Sequence, residues 1–83
     1  MRHKLLKIAN ELNELILNSD VNAYVEFRKY KDGDIGVDFT HIHQSYKYDN
    51  ESITIYSFND ESTMLTKFEL VKKVIKGECL INV

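Results

Sequence analysis

The chain has 83 residues, 43% of them hydrophobic and 29% charged, with a formal net charge of −2. That length makes one domain, residues 1–83, able to bury one layer of side chains between a small sheet and one or two helices but not a deep enzyme cleft as well. The single cysteine, Cys79, excludes an internal disulfide and suits a reducing compartment.

The first element expected is a helix over residues 2–18. Leu5, Ile8, Ala9, Leu12, Leu15 and Ile16 recur at spacings of three and four and form one apolar stripe. Asn18 is expected to close it in a left-handed conformation. The basic start, Met1-Arg2-His3-Lys4, leads into an apolar stretch cut by Lys7, Asn10 and Glu11, so it does not read as a signal peptide. No apolar run approaches the ~18–20 residues that span a membrane. These features together predict a cytoplasmic protein.

A β-hairpin follows. Val21, Ala23, Val25 and Phe27 alternate before Asp32-Gly33, and Ile35, Val37 and Phe39 alternate after it. A two-residue loop would set odd positions opposite even ones and place Phe27 on the face of Asp38. A three-residue loop of Lys31, Asp32 and Gly33 keeps odd with odd. It pairs Tyr30 with Asp34, Phe27 with Val37 and Val25 with Phe39, and it needs Gly33 in the left-handed region that glycine enters at little cost. The second strand is expected over Asp34–Gln44 and a third over Ser52–Phe58. The stretch Ser45–Glu51 either extends the second strand or loops out.

A second helix is expected from about Asp60 to Lys76, capped by Asn59 or Asp60 and stopped by Gly77. Met64, Leu65, Phe68, Val71 and Ile75 form its expected buried stripe. Glu78–Val83 then reads as a short last strand, with Cys79, Ile81 and Val83 alternating. The predicted order is α-β-β-β-α-β. It describes a two-layer α+β domain with a small, mainly antiparallel sheet and the helices packed on one face.

Charge is uneven along this order. Residues 20–61 hold nine acids against four bases, whereas both helical flanks are mildly basic. An acidic sheet disfavours direct nucleic-acid binding. Lys72, Lys73 and Lys76, with Lys67, read as a solvated helix end that suits the negative pole of its dipole.

All five tyrosines, Tyr24, Tyr30, Tyr46, Tyr48 and Tyr56, occupy even positions, as do Glu26, Arg28 and Asp38. If odd positions face the helices, and no bulge shifts the phase after Gln44, these eight residues share the opposite face with Ile42 and Phe58. Tyrosine and arginine keep a polar tip while burying much area, so they are expected to form a partner-binding surface. The alternatives are that one helix covers each face, or that the tyrosines serve only as strand formers.

Catalytic and cofactor signals are weak. His41 and His43 point the same way on a strand and can together hold a metal, yet no motif accompanies them. Glu26 and Asp38 face each other in the preferred register, but on an open sheet with Arg28 close enough to neutralise them. Cys79 has no histidine near it in sequence and reads as a small buried hydrophobe. No glycine-rich phosphate loop is present. We therefore assign no catalytic, cofactor or metal residue from sequence.

In size, acidity and layout the chain resembles the small αβ inhibitors that phages make against host defence enzymes, anti-CRISPR proteins among them. That resemblance implies a non-enzymatic protein that blocks a larger partner, such as a nucleic-acid-processing host enzyme. It assigns no residue a role. A homodimer burying the same face, a nucleic-acid-binding accessory protein and a small metal-dependent enzyme built on His41 and His43 are the alternatives.

Overall fold

A computed structural model describes residues 2–81. Its elements are helix α1 (Arg2–Leu17), strands β1 (Ala23–Lys29), β2 (Ile35–Ile42) and β3 (Asn50–Tyr56), and helix α2 (Glu61–Ile75). The strands form one antiparallel sheet in the order β1-β2-β3. Both helices pack on the same face of it, so the chain is a small two-layer α+β domain.

Parity decides what is buried. Odd positions of the sheet, Val37, Phe39 and Ile55, meet Leu5, Leu12, Met64, Val71 and Val74, and all eight are essentially inaccessible to solvent. The expected register holds throughout the hairpin: Val25 pairs with Phe39, Phe27 with Val37 and Ala23 with His41. Tyr30 N–H donates to Asp34 C=O at 2.8 Å, and Gly33 turns the chain with φ 91°.

Helix α2 carries both expected ends. The Asp60 carboxylate accepts from the Thr63 N–H at 2.7 Å. That bond to its charged form pulls the Asp60 pKa below the ordinary value. At the far end, Gly77 and Glu78 N–H groups return to the Val74 and Lys73 carbonyls, a Schellman closure. Lys4 on α1 pairs with Glu61 on α2, and this contact lowers the Glu61 pKa.

Several expectations are corrected. Asn18 does not take the left-handed conformation; α1 ends instead with the Asn18 amide nitrogen and backbone N–H both donating to the Glu14 carbonyl. Leu65 is exposed and Val74 is buried, because the helix turns its stripe one position further toward α1 and the sheet. The last strand does not form over residues 78–81; Asn82 and Val83 lie outside the described residues. Ile81 is buried, but its N–H donates to the Tyr46 hydroxyl rather than to a neighbouring strand. A side chain has taken the donor that a sheet ladder would have used.

Candidate functional site

The sheet face away from the helices is open. Tyr24 is half exposed, and Glu26 and Arg28 stand beside it on β1. Arg28 donates to Glu26 at 3.0 Å and lies 3.8 Å from Asp38, so the opposed carboxylates of Glu26 and Asp38 share one guanidinium. The bond and charge of Glu26 hold the Arg28 pKa above its ordinary value. Asp38 also accepts from the Thr54 hydroxyl at 3.3 Å. One guanidinium serves both carboxylates and leaves the cluster with a net negative charge, which opposes an acid–base role and suits a charged contact surface.

At the hairpin end of the same face the rings gather. Tyr30 lies over Gly36, where an added β-carbon would stand 3.1 Å from the ring, so residue 36 leaves the space that this ring fills. Tyr30 and Tyr56 centroids are 6.3 Å apart, and Phe58 stacks on Tyr56 at 4.7 Å with 12° between planes. Asp32 and Asp34 join these three rings around a shallow hollow of about 260 Å³. One Asp32 oxygen accepts from the Asp34 N–H and one Asp34 oxygen accepts from the Ser57 hydroxyl. These bonds fix both carboxylates at the rim. Lys67 of α2 reaches round the edge of β3 to stand 5.4 Å from the Tyr56 ring.

Five of the eight expected surface residues therefore lie together on β1–β3: Tyr24, Glu26, Arg28, Asp38 and Tyr56. Tyr30, just past the end of β1, joins them over Gly36. Tyr48 is exposed but sits in the turn segment after β2, with Lys47 over its ring. Tyr46 is the exception. β2 stops at Ile42, and residues 43–49 fold into turns closed by the His43 N–H to Asp49 C=O bond, with Asp49 at φ 65°. Alternation means nothing outside a strand, and the chain turns Tyr46 into the core at 7% exposure. Phe58 keeps the place on the tyrosine face that its even parity gives it, whereas Asp32 and Asp34 were not among the residues expected there.

Tyr46 organises a separate cluster. Its hydroxyl lies 2.8 Å from His41 Nδ1 and accepts from the Ile81 N–H at 2.8 Å. The hydroxyl thus ties two buried groups together, and the imidazole tautomer sets which atom donates in its bond to His41 Nδ1. Burial, and then the neighbouring His43, push the His41 pKa below its ordinary value. His43 Nδ1 accepts from the Ser45 N–H at 3.0 Å. His41, His43 and Cys79 line a groove of about 680 Å³ between the end of β2 and the end of α2. Cys79 is half-buried there rather than sealed in the core. Among the described residues no three His, Cys, Asp or Glu side chains converge to hold a metal ion. With its Nδ1 bound to Tyr46, His41 acts as a packing and hydrogen-bonding residue.

Comparison with protein-family models, curated proteins and solved structures finds no match to this chain. Among the described residues no helix is long and apolar enough to cross a membrane.

Proposed function

We propose that this chain is a small non-enzymatic binding protein that engages a larger protein through its open, acidic, aromatic sheet face. The observation that carries this reading is the hollow of Tyr30, Tyr56 and Phe58 rimmed by Asp32 and Asp34, on the face that neither helix covers. Exposed rings beside carboxylates suit an arginine or lysine side chain, whose apolar stem packs on the rings while its charge meets the acids. Tyr24, Glu26, Arg28 and Asp38 extend the same face with more ring area and charge. The partner surface is therefore basic, as is the groove of a nucleic-acid-processing enzyme. An acidic face seated in such a groove competes with phosphate, which makes inhibition of a cytoplasmic host enzyme the concrete form of this proposal.

The test is affinity capture from nuclease-treated bacterial lysate, run in parallel with wild type and with Tyr56→Ala/Phe58→Ala. Wild type is expected to retain one protein in stoichiometric amount, released by moderate salt. The double variant, folded by circular dichroism, is expected to lose it. Equal capture by both chains would remove the aromatic hollow from the binding surface.

A further inference from the structure

The two edges of the sheet are treated differently. Odd residues of β2 bond to β3, so the outward backbone groups of β3 belong to even residues, and side chains occupy several of them. Glu51 accepts from the Ser52 N–H, Asn59 accepts from the Tyr56 N–H, and Lys67 donates to the Thr54 carbonyl at 2.7 Å. On β1 the even residues bond inward to β2, as the Tyr30 N–H to Asp34 and Ile42 N–H to Asn22 bonds show. The groups of Ala23, Val25, Phe27 and Lys29 point outward, and among the described residues no hydrogen bond reaches them. An open row of donors and acceptors is a template for another strand, and natural sheets seldom leave one unmanaged. At its centre stands Phe27, on the helix side of the sheet yet 46% exposed.

We propose that β1 pairs antiparallel with β1 of a second copy of this chain, about a two-fold axis at Phe27, to make one continuous six-stranded sheet. The sequence of β1 chooses this register. Centring on Phe27 sets Glu26 opposite Arg28 of the second copy and Arg28 opposite its Glu26, two complementary charge pairs on the open face. It also sets Tyr24 opposite Tyr30, Val25 opposite the Lys29 stem, and Phe27 opposite Phe27 on the helix side. Centring on Glu26 instead opposes two like carboxylates, and centring on Val25 leaves Glu26 opposite Tyr24 and Arg28 opposite Asn22. Charges directly across an antiparallel pair favour unlike and penalise like neighbours, so only the Phe27 register uses both. Outward odd residues meet as hydrogen-bonded pairs in it, giving about six new backbone bonds. The interface is isologous, and it joins two tyrosine faces edge to edge without covering either.

The experiment combines sedimentation equilibrium over a wide protein concentration with amide hydrogen exchange. The variants are Glu26→Arg, Arg28→Glu, their equimolar mixture, and the chain carrying both changes. Wild type is expected to dimerise, with the Val25, Phe27 and Lys29 amides gaining protection as concentration rises. Each single variant opposes like charges and is expected to weaken association at least about tenfold. In the mixture a chain with two positive charges at these positions meets a chain with two negative ones, so unlike charges face each other at both pairs. Association is expected to return there, and in the doubly changed chain, whose charges are simply exchanged. Restoration on mixing also shows that the single variants are folded. Wild type remaining monomeric at about millimolar concentration would overturn the proposal and leave the edge to a foreign strand. So would association that survives both single variants, or that leaves the odd amides unprotected, since another surface would then hold the copies together.

Discussion

Tyr46→Phe removes one oxygen atom and should cost more stability than the same change at any other tyrosine of this chain. The ring stays, so the packing against His41 and His43, with centroids at 5.4 and 6.2 Å, is kept. Two hydrogen bonds of 2.8 Å are lost, and they leave His41 Nδ1 and the Ile81 N–H without partners. His41 and Ile81 are 6% and 5% exposed, so water cannot readily replace the hydroxyl at either. Stranding a buried donor or acceptor costs about 1–3 kcal/mol, and two such groups with some relaxation give about 2–4 kcal/mol. For a domain of this size, with a urea slope near ~1 kcal/mol per molar, the midpoint should fall by about 2 M or more. Tyr48→Phe is the control: its ring is 74% exposed, and the midpoint should stay within about 0.5 M. Urea unfolding followed by circular dichroism reads both. Equal midpoints for the two variants would refute the assignment of Tyr46 as the bridge between β2 and the chain after α2.

The His41 environment predicts a pH dependence with a definite sign. Its pKa is lowered on folding from 6.5, so as pH falls the unfolded chain takes up this proton first and stability declines through that value until the folded form is protonated too. Urea midpoints between pH 7 and pH 5 should show this decline, and His41→Gln should flatten it; an unchanged slope in the variant would assign the proton elsewhere. Leu12→Ala should destabilise the domain by about 2–5 kcal/mol, because Leu12 is fully buried in the helix–sheet core. Leu17→Ala on the same helix should change stability by less than about 0.5 kcal/mol, because Leu17 is 82% exposed. Thermal unfolding of the pair separates the two, and similar losses would contradict the packing described.

The hairpin was readable because one rule governed it. Side chains alternate along a strand, so Phe27, Val37 and Phe39 could share a face in only one loop length. The same rule misplaced Tyr46. Nothing in His43-Gln44-Ser45 announces that the strand has ended, since no proline or glycine breaks it. The turn is stabilised by Asp49 and by the destination of the Tyr46 hydroxyl, and both depend on residues distant in the chain. Leu65 left the expected stripe and Val74 joined it for a related reason. Both fit a helical stripe, and the choice between them rests on where α1 lies. The acidic aromatic hollow was half visible: Tyr30 and Tyr56 stood out by parity, whereas Asp32 and Asp34 read only as turn formers. Phe58 stood out by parity too, although it falls just past the end of β3. The contrast between the sheet edges was hidden altogether, because it needs the strand order and the direction of each backbone group.

The sheet's spatial order is its chain order, and this has a kinetic consequence. β1 meets β2 across a short turn and β2 meets β3 across the turns of residues 43–49, so each ladder closes a short loop at small entropic cost. The contact between Lys4 and Glu61 spans 57 residues and must wait for both helices. Topologies dominated by near neighbours fold quickly for their size. The two faces of this meander differ only in what covers them: α1 and α2 seal Val37, Phe39 and Ile55 from water, and the rings of the other face stay in contact with it.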